Sequence, residues 1–347
     1  MNANDIHSKI SLIATLLGCA LLVGGNDASA LEDMECEQIV VCRTETDVLE
    51  GMECERRSLI MNYVRPFDVK CPASAVLDRS YILCVPSKLK LEPKPASLVL
   101  AFHGAGESSS RLAFQNKVHF EVRGLTDSFI TAYPNGCRLV EDQIVCDGGS
   151  WNAQGDPPRG MSEKCKINDA FFIDQVINDI QSHYPISRII AYGHSKGGMF
   201  AYSLACDRPR VFSAIGVTAA TLTDVTCDLP EGVSIFHVHN LMDQSVPFEG
   251  GGIEFDWPSA KKGLYFWAIK NRCVLPINAH DFSEDMCLEA FCQTGLSVEL
   301  CLLDVAGGDP NIDPILPHRY QTYDAAFMAG NKNHENIRDA FLEKCLK

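Results

Sequence analysis

Gly193-His194-Ser195-Lys196-Gly197 sets a serine between two glycines in the spacing G-x-S-x-G. The apolar run Arg188-Ile189-Ile190-Ala191-Tyr192 precedes it, and a helical stretch, 196–206, follows. A strand–turn–helix of this kind lifts a serine hydroxyl out at the end of a buried sheet. The glycines leave room for the sharp turn and for a helix that passes close to the strand. A serine hydroxyl is a poor nucleophile until a neighbouring base takes its proton. That base must be oriented by an acid, and the oxyanion formed on attack needs two preorganised N–H donors. Such a set performs acyl transfer. The alternative is a glycine-rich turn carrying a bystander serine.

Asp243 is the best-placed acid. It follows the apolar run Val233–His239 in the loop Leu241-Met242-Asp243-Gln244, just past a strand's carboxyl end, where open α/β sheets build their sites. A turn-forming aspartate is the alternative. Asp309 and Asp313 follow the final expected strand, where the base belongs. The oxyanion donors should be the backbone amides of Ala105, in Phe102-His103-Gly104-Ala105-Gly106, and of Lys196, directly after the nucleophile. Chain order in this fold runs serine, acid, histidine, so the base should lie beyond Val305. Only His318 and His334 qualify. His318 is preferred because it sits in the loop before the last helix. His194 adjoins Ser195, but at a sharp elbow its ring should point elsewhere. His237 and His239 alternate on one strand face, in core or site-lining roles, with no third ligand nearby to suggest a metal.

These residues need a scaffold. Strands are expected at 79–85, 97–103, 129–133, 188–192, 214–217, 233–239 and 297–305, and helices at 169–183, 196–206, 259–271 and 335–345. Ile173, Val176, Ile177 and Ile180 form one apolar helical face, ended by Pro185. Strands alternating with helices imply βαβ units and a mostly parallel sheet flanked by helices. Runs such as Leu98-Val99-Leu100-Ala101-Phe102 fit strands buried on both faces. Residues 31–75 carry Cys36, Cys42, Cys54 and Cys71 with little periodicity, and are expected to form a Cys-rich N-terminal extension packed on a catalytic domain spanning 76–347.

In the 347-residue chain, Lys9 is followed by an apolar run from Ile10 to Gly25, and then by Ala28-Ser29-Ala30. The run is shorter than the ~20 residues that span a bilayer. Residues 1–30 therefore read as a secretory signal peptide. A membrane anchor, or lipidation at Cys19 after Leu16-Leu17-Gly18, are the alternatives. Formal charge is −15, and −14 without the leader, which argues against nucleic acid or an anionic membrane as partner. Sixteen cysteines, fifteen after cleavage, argue for disulfides in an exported protein. No Cys-x-x-Cys occurs, and no structural zinc is expected.

From about residue 79 to 342 the chain resembles the secreted feruloyl esterase and polyhydroxybutyrate depolymerase group, in the first carbohydrate-esterase family. The likeness rests on LVLAFHGAGESS, on YPNG followed by SWNAQG, on NDAFFIDQVINDI before YPISRIIAYGHSKGGMFAYSLAC, and on HVHNLMDQSVPFEGG. It implies an α/β-hydrolase fold, Ser195 as nucleophile, Asp243 as acid, and the Ala105 and Lys196 amides as oxyanion donors. It places Trp151 at an aromatic position near the cleft, with a core tryptophan as the alternative, and it pairs Cys206 with Cys227 in a disulfide. Two departures stand out. Relatives carry a histidine directly after Gly-Gly behind the last strand, where this chain has Gly307-Gly308-Asp309-Pro310. They also have His-Gly-Thr where this chain has His239-Asn240-Leu241. The expected activity is a secreted serine esterase on feruloylated or acetylated plant polysaccharide, with no cofactor. A polyhydroxybutyrate depolymerase, or a binding protein on a hydrolase scaffold that has lost its base, are the alternatives.

Overall fold

The structure is a computed structural model, describing residues 50–66, 70–73, 75–116, 120, 122–208, 210–223, 227, 232–274, 286–293, 295–303 and 342. Along the chain run β1 (Met52–Tyr63), β2 (Ala75–Pro86), α1 (Ser87–Leu91), β3 (Ala96–Phe102), α2 (Ser109–Asn116), α3 (Val122–Asp127), β4 (Ile130–Pro134), β5 (Cys137–Val140) and β6 (Gln143–Ser150). Then come α4 (Met161–Lys164), α5 (Asp169–His183), β7 (Ile186–His194), α6 (Lys196–Asp207), β8 (Ala214–Thr218), β9 (Ser234–Asn240), α7 (Ala260–Lys270), β10 (Cys273–Val274), β11 (Met286–Cys292) and β12 (Ser297–Leu303). Among the described residues no helix is long and apolar enough to cross a membrane.

Ten strands form one sheet in the order β1-β2-β4-β3-β7-β8-β9-β12-β11-β10. The centre, from β4 to β12, is parallel throughout, and the strands at both edges are antiparallel. Parallel centre strands need cover on both faces. Accordingly Leu98, Val99, Leu100, Ala101 and Phe102 are all fully buried. Core clusters lie on either side of the sheet, one including Leu98, Leu100 and Phe102, the other Val99 and Ala101.

The helix expected at 169–183 forms over that range as α5. Ile173, Val176, Ile177 and Ile180 are its buried face, and Asn168 caps its start by accepting the Phe171 N–H. Arg79 and Asp169 form a buried ion pair, Nη2 to Oδ1 2.7 Å, that ties β2 to the first turn of α5. The Arg79 guanidinium also lies 4.0 Å over the Phe172 ring.

Within the stretch 31–75, the described part contributes a strand to the sheet, and residues 31–49 lie outside the described residues. β1 pairs residue for residue with β2, from Met52 opposite Pro86 to Tyr63 opposite Ala75. Met52, Met61 and Tyr63 point inward, while Ile60 and Val64 are exposed. A twisted edge strand carries such a mixed pattern, which hides its period. The Cys54–Cys84 disulfide crosses the pair, and Cys71–Cys165 fastens the following segment ahead of α5. Also absent from the sequence expectation are the β5–β6 hairpin, with Cys137–Cys146 across it, and the β10–β11 pair, bridged by Cys273–Cys292. Residues 1–30 and the helix expected at 335–345 lie outside the described residues, apart from position 342.

Candidate active site

β7 ends at His194 and α6 begins at Lys196, so Ser195 is the whole turn between them. Its backbone sits at φ 52°, ψ −121°, a region L-residues avoid. Strain of this kind persists only where the surroundings impose it. Here the Ser195 N–H donates to the Thr218 carbonyl (2.9 Å) at the end of β8, and its carbonyl accepts from the Met199 N–H (3.0 Å) in α6. Close packing also requires the flanking glycines. A Cβ on Gly197 would overlap the Phe102 carbonyl oxygen, and one on Gly193 would overlap the start of α6 at Gly197 and Gly198. Ser195 is left partly exposed in otherwise buried surroundings.

The loop after β3 stands beside it. A Cβ built on Gly104 would be 3.6 Å from the Ser195 Cβ. The Glu107 N–H donates to the Gly104 carbonyl, the Gly104 N–H to Glu107 Oε2 (3.0 Å), and the Gly106 N–H to the Gly149 carbonyl (2.7 Å). Ala105 lies exposed at the tip of this fixed turn. The Lys196 N–H belongs to the first turn of α6, where helical amides have no intrahelical partner and the helix dipole favours negative charge.

His103 fixes the loop from below. The Gly136 N–H donates to its Nε2 (3.0 Å), so Nδ1 carries the proton and donates to the Gly104 carbonyl (2.8 Å). Burial pulls this imidazole down to about 4, against the opposing effect of the Gly104 bond, so the ring stays neutral. Trp151 completes the support. Its Nε1–H donates to the His103 carbonyl (2.9 Å), and its ring lies parallel to Phe200 with centroids 4.9 Å apart. Trp151 is 0% exposed. Trp151, expected near the cleft or in the core, is thus a buried residue hydrogen-bonded to the loop after β3.

Asp243 follows β9, two strands from β7 in the parallel centre, so its loop opens on the same edge of the sheet as Ser195. The carboxylate is buried, and its Oδ1 accepts from the N–H groups of Ser245 and Val246, both 2.9 Å. His239 Nε2 lies 3.9 Å from its Oδ2. His194 turns its ring into the sheet, Nδ1 lying 3.2 Å from Thr218 Oγ1. His318, His334, Asp309 and Asp313 lie outside the described residues.

Two features beside the serine were not found from sequence. Lys196 sends its side chain inward to a buried ion pair with Glu163, whose carboxylate also accepts the N–H groups of Gly155 and Arg159. Burial lowers the Lys196 ammonium from its ordinary range, and Glu163 opposes that shift. His103 was the second: nothing in Phe102-His103-Gly104 reports that the ring will turn back onto its own loop. The Cys206–Cys227 disulfide forms as expected, tying the end of α6 to the segment after β8.

A parallel sheet in this order, with a strained serine between its central strand and the following helix, decides the architecture. The chain has an α/β-hydrolase fold. No protein-family profile matches the chain. It is similar to the probable feruloyl esterase C of Aspergillus flavus, 26% identical over 180 residues, which is 50% of this chain and 58% of that protein. The probable feruloyl esterase C of Aspergillus niger is 31% identical over 85 residues, covering 24% of this chain and 32% of that one. The chain thus spans at most 58% of the length of these relatives. A thermostable esterase of known structure superposes with a TM-score of 0.48 at 17% identity, over 82% of this chain and 61% of that one.

Proposed function

We propose that this α/β-hydrolase-fold protein is an exported serine carboxylic-ester hydrolase that acts on feruloyl or acetyl esters of plant cell-wall polysaccharide. The observation that carries the reading is the Ser195 backbone, held at φ 52° with its Cβ against the Gly104 loop. A hydrolase gains from such strain because it aims one hydroxyl at a bound carbonyl. The similarity to feruloyl esterases supports the substrate class, and disulfides such as Cys54–Cys84, Cys71–Cys165, Cys137–Cys146, Cys206–Cys227 and Cys273–Cys292 support an oxidising destination.

In this reading an imidazole from the carboxy-terminal segment, His318, takes the Ser195 proton while Asp243 holds its other nitrogen. Ser195 Oγ bonds to the ester carbonyl carbon, and the carbonyl electron pair moves onto oxygen. The Ala105 and Lys196 amides donate to that oxyanion, each contributing about 3 kcal/mol to the transition state. The imidazolium returns its proton to the departing alkoxide as the C–O bond breaks. Water, deprotonated by the same ring, then splits the acyl-enzyme and restores Ser195. Asp243 suits its role because two backbone N–H donors, from Ser245 and Val246, fix its carboxylate at the end of β9. Trp151 and His103 act from behind, by fixing where the Ala105 N–H points.

Hydrolysis of methyl ferulate, acetylated xylan and a hydroxybutyrate oligomer, measured side by side, tests the reading. Turnover of either plant-type ester well above that of the oligomer supports it. Preference for the oligomer would make the protein a polyester depolymerase. Absence of turnover on all three by folded protein would make it a binding protein on a hydrolase scaffold.

A further inference from the structure

Beneath the acid loop three buried rings form a chain that the ester-hydrolysis reading leaves unused. Tyr202 lies on α6, two turns after the nucleophile, and His237 and His239 lie on one face of β9. Tyr202 is 1% exposed and both histidines 0%. Tyr202 Oη is 2.7 Å from His237 Nδ1, His237 Nε2 is 3.0 Å from His239 Nδ1, and His239 Nε2 is 2.7 Å from the Val246 carbonyl oxygen. The two imidazole planes are 12° apart with centroids at 5.3 Å, as edge-to-edge hydrogen bonding requires.

For neutral rings the direction of this chain follows from which atoms can donate. A carbonyl oxygen only accepts, so His239 Nε2 must carry a proton. With a neutral ring, His239 Nδ1 is then an acceptor, which puts the next proton on His237 Nε2. His237 Nδ1 is left as an acceptor, and Tyr202 must donate. The far end is coupled to the acid, because Val246 is held twice. His239 donates to its carbonyl, and its own N–H donates to Asp243 Oδ1 (2.9 Å). The sequence from the nucleophile helix is therefore Tyr202, His237, His239, Val246, Asp243.

We infer that Tyr202, His237 and His239 are positioning residues for ester hydrolysis, a one-directional chain of neutral rings that fixes the Asp243 carboxylate relative to the Ser195 helix. The inference rests on the proposed role of Asp243. Two local facts favour positioning over plain core filling. A core needs no polar atoms, and here three buried polar rings are hydrogen-bonded in series. The chain also spans the two elements whose separation sets the serine-to-acid geometry, where small misplacement is costly to rate.

Two measurements test it on the full-length protein. Long-range ¹H–¹⁵N correlation of the histidine rings should give two buried residues as neutral Nε2–H tautomers, assigned through His237→Gln and His239→Gln. An Nδ1–H tautomer or an imidazolium at either position at pH 7 overturns the chain as drawn. Kinetically, Tyr202→Phe keeps the ring and removes the donor. We expect kcat to fall about tenfold with KM changed by less than about twofold, since orientation and not substrate binding is lost. In an Asp243→Asn background, Tyr202→Phe should cost less than about twofold more, because the chain acts through that carboxylate. An equal loss in both backgrounds, or no loss in folded Tyr202→Phe, overturns the positioning role. If Asp243→Asn alone leaves kcat intact, the acid assignment fails, and the tautomers still report separately on the chain.

Discussion

Gly197 stands against the end of β3 so closely that a Cβ added to it would lie 2.6 Å from the His103 carbonyl oxygen and overlap that of Phe102. This contact joins the two halves of the candidate site, the serine turn and the loop after β3 proposed to hold the oxyanion. Gly197→Ala must therefore push the helix and the loop apart. Unfolding free energy should fall by about 3 kcal/mol, at the upper end of overpacking costs, with esterase activity falling further than stability. Urea denaturation beside steady-state kinetics checks both.

The Arg79–Asp169 pair is buried on both sides, and Asp169 Oδ2 also accepts the Asn152 N–H (2.7 Å) that leads out of Trp151. Burial raises the carboxyl and lowers the guanidinium from their ordinary ranges, and each opposes the other's shift. Removing one partner strands the other charge. Asp169→Asn should cost about 3 kcal/mol or more in urea denaturation. A loss below about 1 kcal/mol would mean that the pair is solvated.

Cys206 and Cys227 close a loop with a sequence separation of 21 residues. A link of that length restricts the unfolded chain by about 3 kcal/mol. The double Cys→Ala variant should unfold at correspondingly lower denaturant, with kcat nearly unchanged because the bridge lies at the far end of α6 from Ser195.

His103 carries a pH signature. Its folded pKa, about 4, lies below the ordinary 6.5, so the unfolded chain binds the extra proton first as pH falls. Its contribution to stability is thus full above pH 6.5 and is lost between 6.5 and 4, by about 3 kcal/mol in total. His237 is lowered well below 6.5 by burial and by His239, and acts in the same direction. Urea midpoints measured from pH 7 to pH 4 should fall more steeply for wild type than for His103→Gln. Parallel curves would contradict the buried neutral ring.

The centre of the fold was legible because its residues report their own surroundings. Leu98 to Phe102 is apolar at every position, which only a strand covered on both faces tolerates. Ile173 to Ile180 marks one helical face, and the glycines around Ser195 mark a turn with no room for side chains. The edges were less legible. β1 mixes buried and exposed positions, and is held by its pairing with β2, the Cys54–Cys84 bridge and the Arg57–Asp179 ion pair, none of which leaves a periodic trace. Trp151 illustrates a different limit. An aromatic near a cleft and an aromatic beneath it look the same in sequence, and only the indole hydrogen bond to His103 distinguishes them. Asp243 could be placed from its strand, whereas the ring chain under it depends on a tyrosine 35 residues from His237.

Labelling with a fluorophosphonate probe, read by intact mass and peptide mapping, tests the nucleophile most directly. The expected result is one adduct per chain, on the Ser195 hydroxyl, saturating promptly and lost in Ser195→Ala. Folded wild type that stays unlabelled, or an adduct that persists in Ser195→Ala, would contradict the assignment of Ser195.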